Sequence, residues 1–141
     1  MEVFAKSYLK QIVEVQGTLF DTYARSRPDC DTRHFIETYM KSRTRASIDV
    51  GHAYVCTMYA DDLMRWFREH DKYEDRPGES LQGFAPDWIG RFYALYQWSQ
   101  KISSAETIQA VPLDYLIPAY RGLHDLELDL AVAKVAGGKA R

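Results

Sequence analysis

The stretch that most limits what this chain can fold into is the apolar run from Asp125 to Ala136. On a helical wheel Leu126, Leu130 and Ala133 fall on one side, and Leu128, Val132 and Val135 fall on the other. A surface helix shows one apolar stripe, so a helix that is apolar on two sides must be covered on two sides. Either the domain wraps it or a second chain does. The expected contact residues are Leu128, Val132 and Val135, facing a protein partner or the second copy of a homodimer.

Helical periodicity runs through the rest of the chain. Phe4, Tyr8, Ile12, Val15, Leu19 and Tyr23 form one face of a long first helix, with Gly17 as a place to bend. A second helix is expected from a cap at Asp31 or Thr32 to about Ile48, with Phe35, Ile36, Tyr39 and Met40 inward and Gly51 as its stop. A third covers Thr57 to His70 with Tyr59, Leu63, Trp66 and Phe67 inward. Pro86 suits the first turn of a fourth. There Trp88, Ile89, Phe92, Tyr93, Leu95 and Tyr96 form the apolar arc, with Gly90, Arg91, Ala94 and Gln97 opposite. Ser103–Glu106 reads as a capping box. Pro112 and Pro118 bracket a short helix, and Asp125 opens the last one, which Gly137–Gly138 ends. Alternating runs joined by tight turns are absent. The fold class is all-α: a single-domain bundle of five to seven helices over 1–136, with short C-terminal helices and a flexible tail at 137–141. The polar stretch Lys72–Pro86 is the expected mobile or binding loop.

Composition removes several function classes. The net charge is −2, so no basic field favours nucleic acid. No apolar run approaches the roughly 20 residues that span a bilayer, and the N-terminus lacks a signal-peptide core. A cytoplasmic protein with no membrane partner is expected. Cys30 and Cys56 have no CxxC or finger spacing and read as free thiols. His34 and Glu37 share a helix, but the other ligands of a di-iron bundle are missing. No metal and no cofactor is expected.

Three features could carry chemistry or contact. Arg43 projects into the apolar arc of the second helix, where a guanidinium must be paired. It is an anion site, the partner of an acid such as Asp62 or Asp114, or an arginine that snorkels to water. Lys41, Arg45 and His34 fall on the solvent side of the same helix. Helical ribonucleases of the HEPN class carry Arg and His separated by four to six residues, and Arg27/His34, Arg45/His52 and Arg65/His70 have that spacing. Only Arg65 and His70 share a helix, so they would be the catalytic pair, although five residues apart they project away from each other. Trp98, on the polar side of the fourth helix, is an expected interface anchor.

The segment from about Trp88 to Leu130 carries Asp87-Trp88-Ile89-Gly90, Tyr93, Tyr96, Ser103-Ser104, Pro112-Leu113, Tyr120, Leu123-His124 and Asp125. In these it resembles an uncharacterised family of small helical bacterial proteins. The resemblance implies genes beside ADP-ribosyltransferase-like proteins, as in toxin–antitoxin or phage-defence pairs. It therefore implies an antitoxin-like protein that binds a toxin encoded nearby, and it supplies no catalytic residues. The leading expectation is a non-enzymatic interaction protein. The alternatives are the ribonuclease at Arg65 and His70, and a small-ligand domain with an anion site at Arg43.

Overall fold

The computed structural model describes residues 3–139. Among them the fold is all-helical. The helices are α1 (Lys6–Ser26), α2 (Thr32–Met40), α3 (Arg43–Asp49), α4 (Ala53–Cys56), α5 (Ala60–His70), α6 (Ala85–Gln100), α7 (Ser104–Ala110), α8 (Leu113–Leu123) and α9 (Leu128–Lys139). That is more than the five to seven expected, because one long periodic stretch is broken once and a separate short helix precedes another. The expected helix over 32–48 stops at Met40 and restarts at Ser42, and the expected one over 57–70 is preceded by the separate turn of α4.

The break has a physical cause. The Ser42 hydroxyl accepts the Arg45 amide at 3.0 Å, which makes Ser42 a new helix cap. Asp71, just past the end of α5, accepts the Arg43 and Thr44 amides at 2.8 and 3.1 Å and the Thr44 hydroxyl. An anion at a helix N-terminus satisfies amides that have no intrahelical partner. Residue 71 lies far along the chain, so no local pattern announces the break.

The centre of the bundle is α6, which packs chiefly along α1 and is flanked by α7, α8 and α9. Its expected polar side does not exist, since Gly90, Ala94 and Gln97 are all buried. The crossing is close because Gly90 meets the backbone of Gln16 and Gly17. An aromatic core fills the space between α1, α2 and α5. Tyr23 stacks on Phe35 at 3.9 Å, and Phe35 meets Phe20, Tyr39 and Phe67 edge-on or offset.

Local signals were obeyed elsewhere. Asp31 caps α2 through the His34 amide, Gly51 takes a left-handed φ of 77° after α3, and Ser103 and Glu106 form the reciprocal capping box. Pro118 does not end α8, which runs through it to Leu123 with Leu113, Leu116 and Leu123 buried. Nor do Gly137 and Gly138 end α9, which continues through both to Lys139. Of the expected flexible tail, Ala140 and Arg141 lie outside the described residues.

The long loop is tied down. Asp31 donates its amide to Arg76 and Gly78 donates to Asp29, at 2.7 and 3.0 Å. The Ser80 hydroxyl donates to the Ala24 carbonyl at 2.6 Å, and the Thr32 hydroxyl accepts the Leu81 amide. At its start Asp75 receives the Tyr23 hydroxyl at 2.8 Å and Arg68 at 2.9 Å, with Arg27 at 3.5 Å. Burial alone would raise the Asp75 carboxyl, but these donors outweigh it and hold it below the usual carboxylate range.

Candidate functional site

The arginine inside the bundle is Arg45, not Arg43. Breaking the helix at Lys41 shifts the angular phase of everything after it. Arg43 turns to solvent, and Arg45, expected on the solvent side, is fully buried. Neither acid named as a partner of Arg43 has that role. Asp114 pairs with Arg33 and Asp62 with Arg65.

Arg45 sits in a closed polar cluster. Its Nε donates to Gln16 Oε1 at 2.8 Å, Nη1 to Asp49 Oδ1 at 2.7 Å and Nη2 to Gln97 Oε1 at 2.7 Å. Gln97 Nε2 donates back to Asp49 Oδ1 at 2.8 Å, and Gln16 Nε2 donates to the Gly90 carbonyl. The other Asp49 oxygen takes the amide and hydroxyl of Ser104 at 2.9 and 3.0 Å. Among the described residues no buried side-chain polar atom lacks a partner. A charge pair so enclosed has nothing left to offer a ligand, so the cluster holds the fold and is no anion site. Nearby, burial pushes the Cys56 thiol up to about 11, with Arg45 lowering it and Asp49 raising it.

The final helix is two-sided as expected, with its sides exchanged. Val132 and Val135 are buried in the domain's own core and Leu128 is half-buried against it. These residues close the bundle from within and cannot be the partner surface. The exposed side is Leu126, Leu130 and Ala133, with Leu130 at 55%. Trp98 is also engaged internally. It is half-buried, and its indole N–H donates to the Phe4 carbonyl at 3.2 Å, which fixes the segment before α1.

Two strongly exposed aromatic residues lie elsewhere, on α4 and on the link from α4 to α5; Phe84, before α6, and Tyr115, on α8, are exposed as well. Tyr59 is not on the inner face of a helix as expected. It precedes α5 and is 74% exposed, while Tyr54 on α4 is 62% exposed and Val50 beside it 71%. Tyr54, Met58, Tyr59, Arg65, Trp66 and His70 line an open groove of about 620 Å³. Tyr59 also borders a second groove, of about 670 Å³, which runs along Ser7, Lys10, Glu14 and Thr18 of α1 to Asp61.

Inside the first groove the side chains are ordered by stacking. His70 lies on the Trp66 indole with centroids 3.7 Å apart, and Trp66 meets Tyr54 at 5.2 Å. His70 Nδ1 is 3.0 Å from the Trp66 carbonyl oxygen, which can only accept, so Nδ1 is the donor of this bond. Arg65 pairs with Asp62 at 3.1 Å. Arg65 and His70 thus border one groove after all, one turn and a half apart on the same helix.

Each landmark of the Trp88–Leu130 resemblance that is buried serves the bundle. Gly90 permits the α1 crossing, the Tyr93 hydroxyl donates to the Val111 carbonyl at 2.7 Å, and Ser104 completes the Arg45 cluster. No helix among the described residues is long and apolar enough to cross a membrane. Compared with known proteins, the chain matches no family model, no curated protein and no solved structure.

Proposed function

We propose that the protein is a non-enzymatic binding module that docks a partner protein on the aromatic surface of α4 and α5. The observation that carries this is the exposure of Tyr54 and Tyr59 around an open groove also lined by Met58, Arg65 and Trp66. Tyr, Trp, Met and Arg are the residue types enriched where interfaces hold their binding energy. Large aromatics left in water have an unfavourable hydration that a partner would relieve. The final helix adds a smaller patch at Leu126 and Leu130. The resemblance of the second half makes an ADP-ribosyltransferase-like toxin the partner to try first, with this protein in the antitoxin-like role.

The test is co-purification of the tagged protein with such a partner, with native mass of the purified chain alongside. A stoichiometric complex lost in Tyr59→Asp and Tyr54→Asp but kept in Leu130→Asp supports the reading. A complex lost only in Leu130→Asp moves the contact to α9. A lone species with every bait overturns it.

A second reading is favoured by one specific observation, the shared groove of Arg65 and His70. An imidazole and a guanidinium lining one open groove are groups that phosphodiester cleavage can use. Purified protein would then cleave RNA, and His70→Ala would not. Intact RNA after incubation with wild-type protein removes it.

A further inference from the structure

The charges around the two grooves are uneven. Along the α1 groove lie Lys10, Glu14 and Asp61, and along the α5 groove lie Asp62, Arg65 and Glu69. Asp62 and Arg65 neutralise each other at 3.1 Å. Among the described residues Glu14, Asp61 and Glu69 form no ion pair, and Lys10 is the unpaired lysine that lines the α1 groove with two of them. Tyr59 stands between the grooves and Tyr54 beside the second. The face of an aromatic ring is the negative end of its quadrupole and attracts ammonium and guanidinium groups. Uncompensated carboxylates and exposed ring faces therefore select the same sign of partner.

Resting on the docking reading above, we propose that this surface receives a basic segment of the partner protein. Its arginine or lysine side chains lie over Tyr59 and Tyr54 and pair with Asp61 and Glu69. Both grooves are open troughs that meet at Tyr59, a shape that accepts a length of chain and does not enclose a small cation. Three free carboxylates repel a phosphate backbone, which separates this partner from RNA. Pairs between exposed charges are screened by salt, so the complex weakens as ionic strength rises.

The experiment uses the full chain and three fluorescein-labelled probes: deca-arginine, deca-glutamate and a ten-nucleotide oligouridylate. Anisotropy is read at roughly 50 mM and roughly 500 mM salt, on either side of the range where screening removes exposed pairs. Deca-arginine is expected to bind at low salt and to be released at high salt. Tyr59→Ala and the double variant Asp61→Asn/Glu69→Gln are each expected to weaken it by about three- to fivefold, the size of an exposed cation–π contact or pair. Glu127→Gln, an exposed carboxylate remote from both grooves in sequence, is expected to leave it unchanged. Equal losses in all three variants, or none, would mean generic charge attraction and overturn the proposal. Binding of the oligouridylate that depends on Tyr59 would also overturn it. The docking reading fails separately. If a captured partner is lost in Tyr59→Asp but is indifferent to salt and to Asp61→Asn/Glu69→Gln, the docking surface stands and its basic occupant does not.

Discussion

Gly90 of α6 crosses α1 so closely that a Cβ at that position would lie 2.5 Å from the carbonyl oxygen of Gln16 and 2.9 Å from the Cα of Gly17. Those atoms are backbone inside a helix and cannot step aside without moving α1. Gly90→Ala is expected to cost about 2–4 kcal/mol, at or beyond the upper end of overpacking changes. A Cβ at Gly17 instead meets Asp87 Oδ1 and the Arg91 side chain, an ion pair at 3.0 Å whose side chains can shift where the backbone cannot. The better helix propensity of alanine offsets that disturbance, so Gly17→Ala is expected within about 1 kcal/mol of wild type. Urea denaturation of both variants checks the contrast, and equal losses would contradict it.

Arg45 and Arg43 differ by two positions and should differ greatly on substitution. Arg45→Met strands Asp49 and frees Gln16 and Gln97 of their donor. A loss of about 3–5 kcal/mol is expected, the cost of breaking a buried pair from one side. Arg43→Ala, in solvent, is expected to change stability by less than about 0.5 kcal/mol. Thermal melts suffice, and a destabilised Arg43→Ala would count against the placement of both.

Asp75 should make the domain acid-sensitive. Its carboxyl is held below the ordinary range in the folded protein, so its contribution is complete above the unfolded carboxylate pKa and is lost as pH falls through the folded value. Stability should therefore decline on acidification below about pH 4, the unfolded carboxylate value. Asp75→Asn should be less stable at neutral pH and show a shallower decline. Urea midpoints from pH 3 to 7 provide the measurement, and parallel curves would show that Asp75 does not contribute.

The two thiols should be chemically distinct. Cys56 is buried, near the Ile48 carbonyl at 3.7 Å, and its thiol is pushed up to about 11, so almost none is thiolate at pH 8. Cys30 is half-buried beside Pro77. Iodoacetamide on native protein should label Cys30 slowly and leave Cys56 untouched until denaturant is added. Prompt labelling of Cys56, located by peptide mass, would show that the α3–α4 corner opens.

The stretch from Lys72 to Pro86 should behave as ordered structure. The amides of Gly78 and Leu81 donate to Asp29 and to the Thr32 hydroxyl. Both should exchange with deuterium more slowly than the amide of Gly83, which is expected to exchange freely in an exposed turn. Exchange of Gly78 as fast as Gly83 would restore the mobile loop expected from composition.

Periodic burial was legible in the sequence wherever a helix is long and one-sided. Ile12, Leu19 and Tyr23 are inward on α1, as their spacing implies, and Ser103 with Glu106 announced α7 by a purely local device. Several of the failures involve a partner distant in the chain. Asp71 restarts the helix at Ser42, and this moved the inward arginine from 43 to 45. Gln97 reads as polar and outward until Arg45 is placed opposite it. Leu126/Leu130 and Leu128/Val132/Val135 are equally apolar, so composition alone could not choose which side faces the bundle. Tyr59 was assigned inward because it continues an apolar spacing, yet it lies just outside the helix whose period it shares.

The polar cluster at Arg45 also bears on how the protein is made. Its members run from Gln16 to Ser104, so a nascent chain cannot complete the cluster until roughly three quarters of its length has left the ribosome. Docking of α1 against α3 before then would seal a cation away from water with Gln97, one of its three partners, still unsynthesised. The domain is therefore built to wait. Copies terminated before Gln97 lack one of the three partners of this arginine, and they should remain open and be removed by proteolysis.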